Sequence, residues 1–510
     1  MNTRQSIATR ILDGELLFIL NGNLICVPQK WLSVHPGGTL TILHFIGRDA
    51  TDEVEAYHPK HVLKKMLSFS QGPVQLSEGY WVPLLPPIAT GWIRKPAPMA
   101  SPEYYSSENM PHFPPSQVLL VKRADTSLAS GPSLASIQPP PTTLSLKIQS
   151  QHSTAYKSLH KRILAAGLYQ TRYISGYGPE VARYMFFALT SCFLYRHHWF
   201  FLSAVSLGAL WHQLIFFCHD LGHVGVTHNW YMDRLIAIFL ADLIGGLSIG
   251  WWLVLVVTNH PSHDPDIQNL PFLVITPAFF KSLYSSYYMR ELTFDRFARF
   301  VVTVQHRLFY VIMSLGRFNL YRLSYLHLWV TRREPSKARG GRWSWWLEVF
   351  ALGGFLLWYG KVIHGCGPWQ KGLMYLLVSN MVPSPLHVQI VLSHYSRSTA
   401  DLGPTESFPH RQLRTTTDVV CHPFVEFLHG GLHLQVTHHL FPRLPRHNLK
   451  EASYLVKEFA KEQGLEYAEF GFFEGNGEVR STLRGVADQL KIMKMVADSG
   501  IQEAMNGKTK

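Results

Sequence analysis

The run WFFLSAVSLGALWHQLIFFCHDLGH, residues 199–223, is apolar as far as Cys218 and then presents His219 and His223 without a break. An apolar stretch of about 20 residues is one bilayer crossing as a helix. Positions i and i+4 of a helix share a face, so both imidazoles would meet one point at the membrane's edge. Imidazole is a common ligand for iron, zinc and copper, and polar groups at a membrane boundary usually mark function. The plainer alternative is an interfacial helix with incidental histidines. That alternative weakens because Gln435-Val436-Thr437-His438-His439 repeats the pattern about two hundred residues later. His438 and His439 sit at i+3 and i+4 from Gln435, and so share a helical face with it.

Composition agrees with a membrane protein. Of 510 residues, 47% are hydrophobic and 16% are charged, against about 25% charged in soluble domains. The net charge of +13 then reads as cytoplasmic loops facing anionic lipid rather than as a nucleic-acid surface. Five scattered cysteines (Cys26, Cys192, Cys218, Cys366, Cys421) form no CxxC pair. They argue against a disulfide framework and fit a reducing compartment. The first residues, with Asp13 and Glu15 beside a short apolar run, do not read as a signal peptide. The first domain is therefore expected to stay cytosolic.

Residues 1–85 are mixed and soluble in character, with ELLFIL and NLICVP reading as strands around the NGN turn. Residues 86–148 are rich in Pro, Ser and Ala and read as a flexible linker. From 149 to about 395 apolar runs dominate, and after that the chain is soluble in character, with the domain reading as far as 475. Residues 184–195 and 199–218 read as one hairpin, and 344–363 with 372–393 as a second; LIAIFLADLIGGLSIGWWLVLVV (235–257) is also apolar, with one acid, Asp242. Residues 476–510 form a charged tail.

In the first domain, His35-Pro36-Gly37-Gly38 is followed by His58 at the end of GRDATDEVEAYH. Glycines let the backbone turn tightly beside a flat cofactor, and two facing imidazoles fill both axial positions of a haem iron, leaving a centre that moves electrons. The segment WLSVHPGG…GRDATDEVEAYH resembles the cytochrome b5 domain over roughly residues 10–85. The resemblance implies haem b with His35 and His58 as axial ligands. His61, in HPKH, is the competitor for His58, and His44 reads as a packed residue of an apolar helix.

The larger domain resembles the membrane-bound front-end desaturases, and in detail the fungal delta-8 sphingolipid desaturases. HDLGHVGVTHNW, HDPDIQ, GRFNLYRLSY, HVQIVLSH, RQLRTTTDV, FLHGGL and QVTHHLFPRLPRHNL carry that resemblance. It implies an α-helical integral membrane domain of about four transmembrane helices in two hairpins. A cytosolic cap of histidine boxes follows them, and an α+β cytochrome b5-like domain precedes them. It implies two non-haem irons, with His219, His223, His438 and His439 as ligands, His394 as an additional ligand position, and Gln435 as a weak ligand or a neighbour of one. His228 and His447 fall in motif context with supporting roles, and His212, within the span, reads as a packed residue.

One box is missing. The family pattern places HxxHH shortly after GWW, before VTN and HDPDIQ. Here Gly250-Trp251-Trp252 runs straight into LVLVVTN between intact flanks. His260 and His263 make poor substitutes. Pro261 and Pro265 push the preceding residues away from helical dihedrals, and His263 already belongs to the HDPD motif. Three accounts fit: a misplaced exon boundary in the coding sequence, a genuine loss that leaves an inactive protein, or a site with altered ligands.

The resemblance implies an oxidoreductase that inserts a double bond into the long-chain base of a sphingolipid, such as ceramide. It would use O2 and electrons relayed from NADH through cytochrome b5 reductase and the chain's own haem. It also implies a multi-pass endoplasmic reticulum membrane protein with haem and histidine boxes on the cytosolic side. The competing readings are a front-end desaturase of fatty acyl chains, an inactive desaturase-like haem protein, and a b5-fused hydroxylase. The last is disfavoured by how closely QVTHHLFPRLPRHNL matches desaturases.

Overall fold

The computed structural model describes residues 2–90, 92–96, 118–122, 133–256, 272–280, 283–285, 290–333 and 340–506. The chain divides into two compact units. The first comprises Met1–Arg162 with Ser336–Gly341 and Asp401–Gln412; the second comprises Ile163–Pro335, Arg342–Ala400 and Leu413–Lys510. His260 and His263, and most of the expected linker, lie outside the described residues.

The first unit is α+β. Strands Leu17–Leu20 and Asn23–Cys26 pair antiparallel, with Leu20 opposite Asn23. The turn between them holds Asn21 and Gly22 at φ of 50° and 73°, the left-handed geometry that suits a twisted two-residue hairpin. Ser70–Pro73 adds a third strand beside Asn23–Cys26. Ile7, Ile11, Leu17, Ile19, Leu24 and Leu84 form a buried cluster that also takes in Ile137. The packing of this unit thus reaches past residue 85, and the helix Leu146–Ala165 stays with it as far as Arg162. Within the Pro/Ser-rich stretch, Val118–Lys122 pairs antiparallel with Trp92–Pro96. VLLVK is a branched apolar run with the composition of a strand.

The second unit is a helical bundle. Among the described residues, three helical segments are long and apolar enough to cross a membrane: Phe200–Gly222, Gly341–Gly365 and Trp369–Tyr395. The partner of the first in the expected hairpin, Gly178–Arg196, is 19 residues long and carries Glu180, Arg183 and Arg196, so its apolar run is shorter than its length. In the most apolar 18-residue stretch of Phe200–Gly222, 72% of the residues are buried, against 28% in that of Gly341–Gly365. The first is therefore the central helix of the bundle, and the second turns Phe350, Leu356 and Leu357 outward, as a lipid-facing helix should. Trp369–Tyr395 is bent where Val382 and Pro383 separate Trp369–Met381 from Ser384–Tyr395, because proline removes a helical donor and crowds the preceding turn.

The apolar run 235–257 does not form one continuous helix. Trp230–Ala237 and the wider turn Ile238–Ile244 stop at Gly245 and Gly246, and a new helix starts at Ile249–Val256. Gly246 has φ of +73°, and a Cβ there would meet Phe355 at 2.3 Å, so the bend needs glycine twice over. A buried charge is costly unless it is paired, and the acid at the centre of the bundle has its partner. Glu348 is ion-paired with Arg234; it accepts from Ser248 Oγ at 2.6 Å and from the Gly250 N–H at 3.1 Å. Asp242 accepts the Ile249 N–H at 3.0 Å. Two carboxylates at the N-terminus of Ile249–Val256 suit its helix dipole and fix where Trp251 and Trp252 begin.

Candidate metal centres

In the first unit, His35 and His58 face each other with ring centroids 6.0 Å apart. His58 follows the helix Thr51–Tyr57 as its cap, and its Nδ1 lies 3.0 Å from the Val54 carbonyl. His35 Nδ1 lies 3.2 Å from the Gly38 carbonyl and 3.0 Å from Thr41 Oγ1. Each ring thus has Nδ1 held by the chain, which fixes the tautomer that leaves Nε2 for a metal. Two imidazoles sharing one metal at the usual distance place their ring centroids about 6 Å apart, so the pair fits a haem iron. Pro36 and Gly37 complete the turn, and Gly38 N–H bonds back to the His35 carbonyl at 2.9 Å. His61 is exposed on the next helix and His44 is buried.

In the second unit, the coordinating atoms of His219, His223 and His438 all lie within 4.8 Å of one another, and all three residues are buried. Ring centroids are 4.7 Å apart for His219 and His223, 4.6 Å for His219 and His438, and 4.8 Å for His223 and His438. His223 Nε2 is buried with no hydrogen-bond partner, which is what a nitrogen reserved for a metal looks like. His219 lies in the last turn of Phe200–Gly222 and His223 caps it; the negative end of the helix dipole there favours a cation.

A second group lies beside the first. His439 is 6.0 Å from His438 and 5.1 Å from His394 by ring centroid. Gln435 Nε2 is 2.9 Å from His439 Nε2. The six expected residues therefore split into a tri-imidazole group and a group of two imidazoles and an amide. Burial first, then neighbouring imidazoles, pushes His438 and His439 well below histidine's ordinary range. Both are neutral, the form that binds metal. The donor set fits a metal ion at the first position and gathers the start of a second.

Local packing explains the convergence. Gly430, at φ +54° in the FLHGGL motif, sits so close to Phe216 that a Cβ would come within 2.2 Å of its ring. Phe216 is one turn before His219, so this contact draws the last box onto the first. The short helix Gln435–Leu440 is buried at all six positions, and its Val436 N–H donates to Asp418 at 2.8 Å. Asp418 is held in turn by Tyr467, on a strand paired parallel to Glu469–Gly471.

Several supporting groups escape a motif search. Asp220, the second residue of HDLGH, lies 3.5 Å from His219 Nδ1 and accepts from Tyr177 Oη at 2.9 Å. Arg446 Nε is 3.5 Å from the same carboxylate. Trp252 brings its ring to 6.4 Å from that of His219, so the helix that precedes the expected middle box does run to the cluster. His447 accepts from the Arg172 N–H at 3.0 Å and packs edge-on against Tyr177. His228 bonds to the Val224 and Tyr169 carbonyls, and His212 lies mid-helix against Phe216. None of these three is among the clustered imidazoles.

Comparison with known proteins shows what the chain is similar to. The fatty acid desaturase family model matches residues 196–471, and the cytochrome b5-like heme/steroid binding domain model matches residues 3–75. The Delta 8-(E)-sphingolipid desaturase of Emericella nidulans is 40% identical over 99% of this chain and 97% of its own. The Delta 8-(E)-sphingolipid desaturase of Lachancea kluyveri is 37% identical over 98% and 96%. The Delta(8)-fatty-acid desaturase 2 of Arabidopsis thaliana is 29% identical over 94% and 91%. No solved structure matches the chain.

Proposed function

Because this chain belongs to the fatty acid desaturase family and carries a cytochrome b5-like domain, we propose that it desaturates the long-chain base of a sphingolipid at the delta-8 position. The observation that carries the reading is the gathering of His219, His223 and His438, from segments far apart in sequence, at the end of a membrane-length helix. The higher identity to the sphingolipid enzymes than to the plant Delta(8)-fatty-acid desaturases supports the substrate class.

In this reading haem b is held by His35 and His58, one non-haem iron by His219, His223 and His438, and a second by His394 and His439 with Gln435 beside it. When bound, these groups supply one-electron transfer and the dioxygen chemistry that no side chain performs. The protein's part is to hold and exclude. Asp220, with Tyr177 and Arg446 behind it, orients the His219 ring. Asp418 fixes the N-terminus of the helix that bears His438 and His439. Burial of all five imidazoles keeps bulk water from the reacting centre. The electron donor is NADH acting through cytochrome b5 reductase. The setting is the endoplasmic reticulum membrane, with both metal centres on the cytosolic side and ceramide or a free long-chain base in the bilayer.

Expression in a yeast that makes neither product, followed by lipid analysis, tests the reading. New unsaturation confined to fatty acids would replace it with the acyl-chain alternative. One observation favours a second reading: LVLV follows Trp252 where the family carries HxxHH. An inactive homologue predicts haem absorbance without non-haem iron. Iron analysis of purified protein separates the two, and the transcript across residues 250–260 shows whether the box is encoded.

A further inference from the structure

Arg317 begins the GRFNLYRLSY stretch on the helix Gly316–Thr331 and is fully buried. Its Nη2 donates to the Gly245 carbonyl at 2.5 Å and its Nε to Tyr321 Oη at 3.1 Å. Its guanidinium lies 4.3 Å from the centroid of the Trp211 ring. The third nitrogen, Nη1, is buried with no hydrogen-bond partner. Of the buried acids of the bundle, Glu348 is engaged with Arg234, and Asp242 accepts the Ile249 N–H through Oδ1 while its Oδ2 is buried without a partner; no ion pair joins either to Arg317 among the described residues.

Arg317 also lines an apolar cavity of about 30 Å³ with Trp211, Cys218, Ser248 and Trp252. Cys218 directly precedes His219, and Trp252, another wall of the cavity, brings its ring to 6.4 Å from that of His219. A buried cationic N–H without an acceptor is costly unless something supplies one. The space suits one small polar group, on the order of one or two waters.

We propose that Arg317 binds an oxygen of the lipid substrate in this cavity, whether hydroxyl, amide carbonyl or carboxylate, and so sets which carbons reach the histidine cluster. The carbons along an alkyl chain are chemically alike, so an enzyme that picks one pair must measure from an end. A buried guanidinium reads the polar end. Trp211 and His219 are eight residues apart on one helix, about 12 Å along its axis, which separates the anchor from the cluster by several methylenes. The inference rests on the lipid-desaturase reading above.

The test uses the full chain with its haem, purified in detergent. A long-chain base, a fatty acid and an alkane of equal chain length are titrated against wild type, Arg317→Met and Arg317→Lys. Wild type should prefer an oxygen-bearing lipid to the alkane by roughly tenfold to a hundredfold, the range of a charge-assisted hydrogen bond. Arg317→Met should abolish the preference with haem and iron content unchanged, and Arg317→Lys should keep part of it. A preference that survives in Arg317→Met, or is absent from wild type, overturns the proposal. If Arg317→Met does not fold, Ala241→Phe fills the same cavity from another wall; it too should abolish the preference, and retention overturns the proposal. An Arg317-dependent preference for the fatty acid over the long-chain base would support the anchor and overturn the sphingolipid assignment.

Discussion

The two histidine sites are built in opposite ways. The pair in the first unit comes from positions 23 residues apart, and each ring is steadied by a nearby backbone carbonyl. The cluster in the second unit comes from helices more than two hundred residues apart, with the Asp220 carboxylate beside His219 and Asp418 holding the helix that bears His438. The first site is nearly complete once its own short stretch folds. The second exists only when the bundle does. Local sites should therefore tolerate remote change, and assembled sites should fail by many routes.

The largest effect expected from this contrast is at the cluster. His438→Ala should cut desaturation by more than about a hundredfold, because losing a ligand exceeds the cost of losing a ligand's partner. Non-haem iron should fall and the haem spectrum should not change; a changed spectrum would mean that the two sites are not independent. His58→Ala should do the reverse, removing the six-coordinate haem signature while iron bound by the second unit stays constant. Asp220→Asn should weaken non-haem iron binding by roughly ten- to a hundredfold, measured by chelator competition, with no counterpart in the first unit. Inserting HxxHH after Trp252 sharpens the contrast from the other side. It should raise non-haem iron per chain, and an unchanged iron count would show that the cluster is already complete.

The smallest effect concerns pH. Burial pushes the Asp52 carboxyl, which accepts from Ser153, up to about 8. Its folded pKa is raised above the unfolded value of about 3.9. The stability it contributes is therefore full below that value and is lost as pH rises through about 8. Asp52→Asn should raise the melting temperature of the haem absorbance at pH 8.5 and bring a clearly smaller gain at pH 5, where only the first part of that stability has been lost. A constant difference at both would refute the assignment.

What could be read from residues alone follows the same division. HPGG and the following His58 are close in sequence, so their pairing was legible, as was the hairpin around Asn21 and Gly22. The helical faces of HDLGH and QVTHH were legible because i, i+4 spacing is a local property. Their meeting was readable only by resemblance, since nothing in either motif points to the other. Asp220 was in view inside HDLGH, but Tyr177, Arg446 and Asp418 gain their roles only through packing. The apolar run 235–257 carried the pair Gly245-Gly246 where it bends, but the second reason a glycine is needed there, Phe355 against Gly246, lies on another helix and could not be read.

The contact between Gly430 and Phe216 makes metal loading a late and conditional event. Gly430 needs a finished surface on the helix Phe200–Gly222 before it can dock, so His438 cannot join His219 and His223 until that helix has been threaded into the bilayer. A chain inserted wrongly would offer two imidazoles where three are needed and would bind its metal poorly. Iron would then collect on correctly inserted molecules, and a reactive oxygen-handling centre would form only where a lipid surrounds it.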